Sequence, residues 1–100
     1  MLHIVNKSPT ERNALDSCLA TAQAGGAVLL IEDGVYGATR GSAAEPRLRA
    51  AMANKVEVYA LAPDLEARGM ANSVSEGVKL VDYSGFVDLV TKYSTCQSWL

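Results

Sequence analysis

Ala27-Val28-Leu29-Leu30-Ile31 is an unbroken apolar run, fenced by Gly25-Gly26 before it and Glu32-Asp33-Gly34 after it. Five residues are too few for an independent helix. A strand with one wet face would alternate apolar and polar residues, and this run does not. An unbroken apolar strand is one covered on both faces, as in a parallel sheet sandwiched between helices. The remaining residues must then supply those helices and the neighbouring strands.

They do so in alternation. Leu2, Ile4 and Val5 read as a first strand. Ser8-Pro9-Thr10-Glu11 is a helix start, with Ser8 as cap, Pro9 where a missing N–H costs nothing, and Glu11 completing a capping box. Ala14, Leu15, Cys18, Leu19 and Ala22 then form one apolar stripe, which Gly25-Gly26 ends. After the central strand, Val35 to Ala38 reads as a turn or single helical turn. Ser42-Ala43-Ala44-Glu45 reads as a second capping box, with Leu48, Ala51 and Met52 as the apolar face. Lys55 to Leu61 alternates toward a strand, and Pro63-Asp64 opens a short helix that Gly69 closes. Val78 to Val81 is another short strand, and Asp82 can cap a last helix carrying Phe86, Leu89, Val90 and Tyr93 on one face. The tail Cys96-Gln97-Ser98-Trp99-Leu100 fits a final edge strand or a contact for a neighbour. The expectation is one α/β domain over 1–100, a compact layer sandwich with a mainly parallel central sheet flanked by helices.

Composition removes several function classes. Nine Lys and Arg against eleven Asp and Glu give a net charge of -2, which argues against a general nucleic-acid binder. Arg40, Arg47, Arg49, Lys55 and Arg68 are diluted by interspersed acids and read as a solvated face. No apolar run approaches the roughly 20 residues of a membrane span. The start lacks a basic stretch followed by an apolar one, so a cytoplasmic chain is expected. His3 is the one histidine, so a zinc site or histidine-based triad finds no ligand set, and no metal or cofactor is expected. Gly34-Val35-Tyr36-Gly37 does not complete a dinucleotide-binding pattern.

The chemistry-bearing candidates are few. Glu32-Asp33-Gly34 sits at the carboxyl end of the central strand, where open α/β sheets place functional groups. It reads either as paired carboxylates for acid–base work or as a solubilising turn with Gly34 at positive φ. Cys18 lies mid-helix on the apolar stripe, away from a helix N-terminus. It reads as a small buried hydrophobe or, if reachable, as a thiol nucleophile. Cys96 has no assigned role, and 78 residues separate the two cysteines, which are expected to be free thiols. Trp99 and Leu100 are candidate interface residues, with coverage of the chain's own core as the alternative for Trp99.

Several segments together carry a resemblance. They are Leu2-His3-Ile4-Val5-Asn6-Lys7-Ser8-Pro9, Glu32-Asp33-Gly34-Val35-Tyr36, Pro63 to Gly69, Val81 to Leu89, and Gln97-Ser98-Trp99-Leu100. The chain resembles the TusB/DsrH family of sulfur-relay subunits from end to end. The resemblance is drawn closer to DsrH because Cys18 falls where that branch carries a cysteine and many TusB members lack one. It implies a cytoplasmic, cofactor-free subunit assembled with DsrE/TusD-like and DsrF/TusC-like subunits, two copies of each. That hexamer passes persulfide sulfur to a DsrC/TusE-like acceptor, with its principal acceptor cysteine on the sister subunit. The expected role is accessory, in dissimilatory sulfur oxidation. The alternatives are a TusB-like subunit for tRNA wobble-uridine 2-thiolation, an independent sulfur acceptor that uses Cys18 as a persulfide carrier, and an RNA-binding adaptor. The mildly acidic charge argues against direct nucleic-acid contact.

Overall fold

Five strands form one sheet, in which every pairing is parallel, in the computed structural model, which describes residues 1–8 and 14–99. The strands are β1 (Leu2–Val5), β2 (Ala27–Leu30), β3 (Glu57–Leu61), β4 (Lys79–Val81) and β5 (Cys96–Trp99), in the order β4-β3-β2-β1-β5. The apolar run is β2, in the middle of the sheet with all four residues buried. It pairs with β1 through Leu2↔Ala27 and Ile4↔Leu29, and with β3 through Val28↔Val58 and Leu30↔Ala60.

The order of strands decides where the helices go. The chain steps from β1 to β2, β3 and β4 in one direction, then returns past β1 to place β5 on the far edge. Right-handed crossovers put the forward connections on one face and the return on the other. Accordingly α1 (Ala14–Thr21), a 3-10 helix (Glu32–Ala38), α2 (Glu45–Ala53) and α3 (Ala62–Ala67) share the first face. There Leu15, Cys18, Val35, Leu48 and Leu65 pack on Val5, Val28, Leu30, Val58 and Ala60. Among the described residues, only α4 (Tyr83–Lys92) covers the second face, where Leu89 meets Leu2, Ala27 and Leu29 inside a rim of half-buried Ile4, Tyr59, Phe86 and Tyr93.

Local signals mostly act as the sequence suggests. Asp82 caps α4, its Oδ1 accepting from the Gly85 N–H at 2.8 Å. Gly25 turns the chain after α1 at φ +86°. Of the first helix start, Pro9, Thr10 and Glu11 lie outside the described residues. The second capping box forms only in part, the Ser42 hydroxyl accepting from the Ala44 N–H at 3.1 Å. α2 begins at Glu45 behind Ala44, with no side-chain cap, and the Glu45 carboxylate accepts from the Ser75 hydroxyl at 2.7 Å instead. That bond belongs to a seam in which Ser75 N–H donates to Ala38 and Arg40 N–H to Ser73, tying the segment before β4 to the end of the 3-10 helix. The face of α4 also narrows. Phe86, Leu89 and Tyr93 pack inward, while Val90 is 40% exposed because no neighbouring helix reaches it.

Candidate functional site

In a parallel sheet the loops leaving the carboxyl ends of the strands gather at one rim, and functional groups collect there. The rim of this sheet is built from Asn6 after β1, Glu32-Asp33-Gly34 after β2, and Asp64 with Arg68 at and beyond α3. β2 leaves the sheet with the Ile31 N–H bonded to the Val5 carbonyl at 3.0 Å. Glu32 then takes φ +49°, a left-handed conformation that a side chain rarely adopts. Its N–H is captured by the Asp64 carboxylate at 2.6 Å, which stabilises the turn. Arg68 closes the next step, with Nε and Nη2 on Asp33 Oδ1 at 3.0 and 2.9 Å, and Nη1 on the Asp64 carbonyl.

The turn reading of Glu-Asp-Gly gains support from these bonds. Asp33 is held by Arg68, and Asp64 by the Glu32 N–H, so both carboxylates organise the loop. The positive φ falls on Glu32, not on Gly34. Gly34 is needed for close approach, since a Cβ there would sit 2.3 Å from the Val5 carbonyl oxygen. Among the described residues, Asn6 Oδ1 is the buried side-chain oxygen left without a hydrogen-bond partner, directly beneath this turn. The rim is thus a polar surface tied together by hydrogen bonds, and neither cysteine lies on it.

The cysteines lie elsewhere. Cys18 is fully buried between α1 and the sheet, and burial pushes its thiol up to about 12. A thiolate, the attacking species in sulfur transfer, is a negligible fraction there at neutral pH. Cys96 is exposed and free at the amino end of β5, in register with Leu2, at the opposite end of the sheet from the rim. His3 reads in sequence as a strand residue near a surface or interface; in the structure it is 3% exposed. Its Nδ1 accepts from Trp99 Nε1 at 3.1 Å. Trp99 is half-buried and packs against the main core, and the tail forms the edge strand β5; Leu100 lies outside the described residues.

The basic residues do not merge into a patch. Arg47 pairs with Asp16 at 3.1 Å, Arg68 with Asp33, and Arg40 donates to the Val74 carbonyl. A cleft of about 280 Å³ lies between α1 and α2 with the Arg47–Asp16 pair on its wall, away from the rim. Among the described residues no three His, Cys, Asp or Glu side chains gather as a metal site, and no helix is long and apolar enough to cross a membrane.

The profile of the family described as DsrH like protein matches residues 7–96. The chain belongs to that family. It is similar to Protein TusB of Pectobacterium parmentieri, 38% identical over 99 residues that span 99% of this chain and all of the relative. Protein TusB of Escherichia coli K12 is also 38% identical, over 101 residues with the same coverage. The fold is that of the ychN protein from E. coli, with a TM-score of 0.82 over 97% of each chain at 16% identity. Protein Tm0979 from Thermotoga maritima matches at a TM-score of 0.66 and 26% identity, over 95% of this chain and 97% of its own. These likenesses place the chain within the expected TusB/DsrH family and its α/β sandwich. The curated relatives carry the TusB name, so the closer tie to DsrH drawn from Cys18 has no separate support in them.

Sequence reasoning located the turn after β2 but missed what holds it. Asp64 and Arg68 lie 32 and 35 residues from their partners Glu32 and Asp33. Their one signal was position, since Pro63-Asp64 starts a helix just after β3 and so returns to the same rim.

Proposed function

We propose that this chain is an accessory subunit of a TusB-type sulfur-relay assembly, contributing packing and recognition surface rather than the sulfur-bearing thiol. The observation that carries the accessory role is the burial of Cys18. A persulfide carrier must present a thiolate to a donor and then a sulfur to an acceptor. A thiol sealed beneath α1 and raised to about 12 does neither. In this reading Cys18 is a core residue, and the persulfide resides on a DsrE/TusD-like sister subunit. A DsrF/TusC-like subunit completes the assembly and a DsrC/TusE-like carrier takes the sulfur, in the cytoplasm and without a cofactor.

Of the two destinations, tRNA wobble-uridine 2-thiolation is better supported than dissimilatory sulfur oxidation. The full-length similarity is to proteins named TusB, and the residue that favoured the DsrH branch is the buried Cys18. The dispersed, paired arginines support a route to tRNA through the assembly rather than through direct contact by this chain.

The test is the native mass of the complex recovered gently from the source cells, followed by its sulfur chemistry. A hexamer with two further small subunits is expected, with persulfide on a sister cysteine and transfer unchanged by Cys18→Ala. A monomer or homodimer, or persulfide transfer by the isolated chain that Cys18→Ala abolishes, overturns the accessory role. Deleting this chain is expected to remove 2-thiouridine from tRNA. Normal 2-thiouridine together with failed oxidation of stored sulfur would instead assign it to the oxidative pathway.

A further inference from the structure

The edge strand β5 is fastened by an unusual pair. It has one neighbour, β1, and three of its four side chains, Cys96, Gln97 and Ser98, are exposed. Trp99 is the one side chain it places against the core. The indole reaches His3 on β1, with ring centroids 6.0 Å apart and Nε1 donating to Nδ1 at 3.1 Å. An indole N–H only donates, so Nδ1 must carry no proton and His3 must be neutral.

We propose that the docking of β5 is a proton-sensitive latch: neutral His3 holds it shut by accepting from Trp99, and protonation of His3 removes that acceptor and frees the strand. The surroundings of His3 make this a one-way device. Its register neighbours, Val28 on β2 and Gln97 on β5, carry no charge. The cleft beside it is lined by uncharged Thr21 of α1, Gln23 and Gly26, together with Met1. Cys18 on the same face holds a neutral thiol, and Asp16 of α1 is turned to Arg47. Among the described residues, the charge that acts on His3 is the Met1 ammonium, which opposes a second positive charge. Burial first and that ammonium second lower the His3 pKa from 6.5.

The sign follows from linkage. Well above pH 6.5 His3 is neutral whether β5 is docked or free, and the latch holds at full strength. As the pH falls below 6.5 the freed state takes up a proton that the docked state refuses, so docking weakens until the lowered pKa is passed. β5 is the element released because it has one ladder and one anchor, whereas β2 and β3 are paired on both sides.

The chain has one tryptophan and one histidine, so both partners can be followed without labels. Acrylamide quenching of Trp99 in the full-length protein is titrated from pH 8 to pH 5 beside far-ultraviolet circular dichroism and hydrogen exchange of the β5 amides. A severalfold rise in quenching and in β5 exchange is expected below pH 6.5 while the dichroism holds. Quenching by acrylamide reports accessibility, which separates release from simple dimming by a nearby imidazolium. His3→Asn keeps an acceptor where Nδ1 lies and removes the titration, so its β5 is expected to stay docked across the range. The same acid release in His3→Asn, or Trp99 and the dichroism changing only together, overturns the latch. Should His3→Asn not fold, the imidazole pKa of the docked protein from nuclear magnetic resonance decides, since a value at or above 6.5 means that docking does not oppose protonation, which overturns the latch.

Discussion

The two faces of the sheet are built from the same strands yet are finished differently. On the first face, three helices and a 3-10 turn bury Leu15, Leu48, Val28 and Leu30 completely. On the second, one helix covers five strands, and the rim of its core is only half-buried. The outer side of that helix leaves Tyr83 62%, Val87 61% and Val90 40% exposed. The difference comes from topology rather than composition, because three forward crossovers share one face and a single return crossover has the other.

That contrast can be broken most decisively by cavity formation. Leu30→Ala on the full face is expected to cost about 4 kcal/mol, and Leu89→Ala beneath the lone helix about 2 kcal/mol, because a thin layer collapses onto the gap. Equal losses in urea denaturation would show the faces to be equally packed. Gly34→Ala comes next, at about 3 kcal/mol, since its Cβ meets the Val5 carbonyl and the backbone must shift. A neutral result would mean that the rim turn is not held by that approach.

The cysteines sample the same contrast chemically. Cys96, at the exposed edge, is expected to react with a thiol reagent in the native protein, and Cys18 only as fast as the fold opens. Comparable native rates for both would place Cys18 within reach and reopen its role as a sulfur carrier. Cys18→Ser should cost about 2 kcal/mol by burying a hydroxyl without a partner, with Cys18→Ala costing less. The smallest effect is expected on the outer side of α4. Val87→Lys should change the stability of the isolated chain by no more than about 0.5 kcal/mol. A larger loss would mean that this stripe already serves the chain's own core.

Much of this was legible along the chain. The helix at Asp82, the short helix at Pro63 and the central apolar strand are each specified by residues within a few positions of one another, which is the range over which capping and periodicity act. Where local signals failed, a distant partner had outbid them. Ser75 took the Glu45 carboxylate from its capping box across 30 residues. The missing helix neighbour left Val90 in solvent although its spacing marks it as apolar face.

The sequence alone determined the alternation of strands and helices, the buried central strand, and the family resemblance. Each rests on patterns that recur every two to four residues and on the order of whole segments. Only the tertiary structure decided that Arg68 closes on Asp33, that Trp99 reaches His3 across 96 positions, and that Cys18 is sealed rather than presented. Those outcomes depend on strand order and crossover hand, which bring together residues that no local period relates.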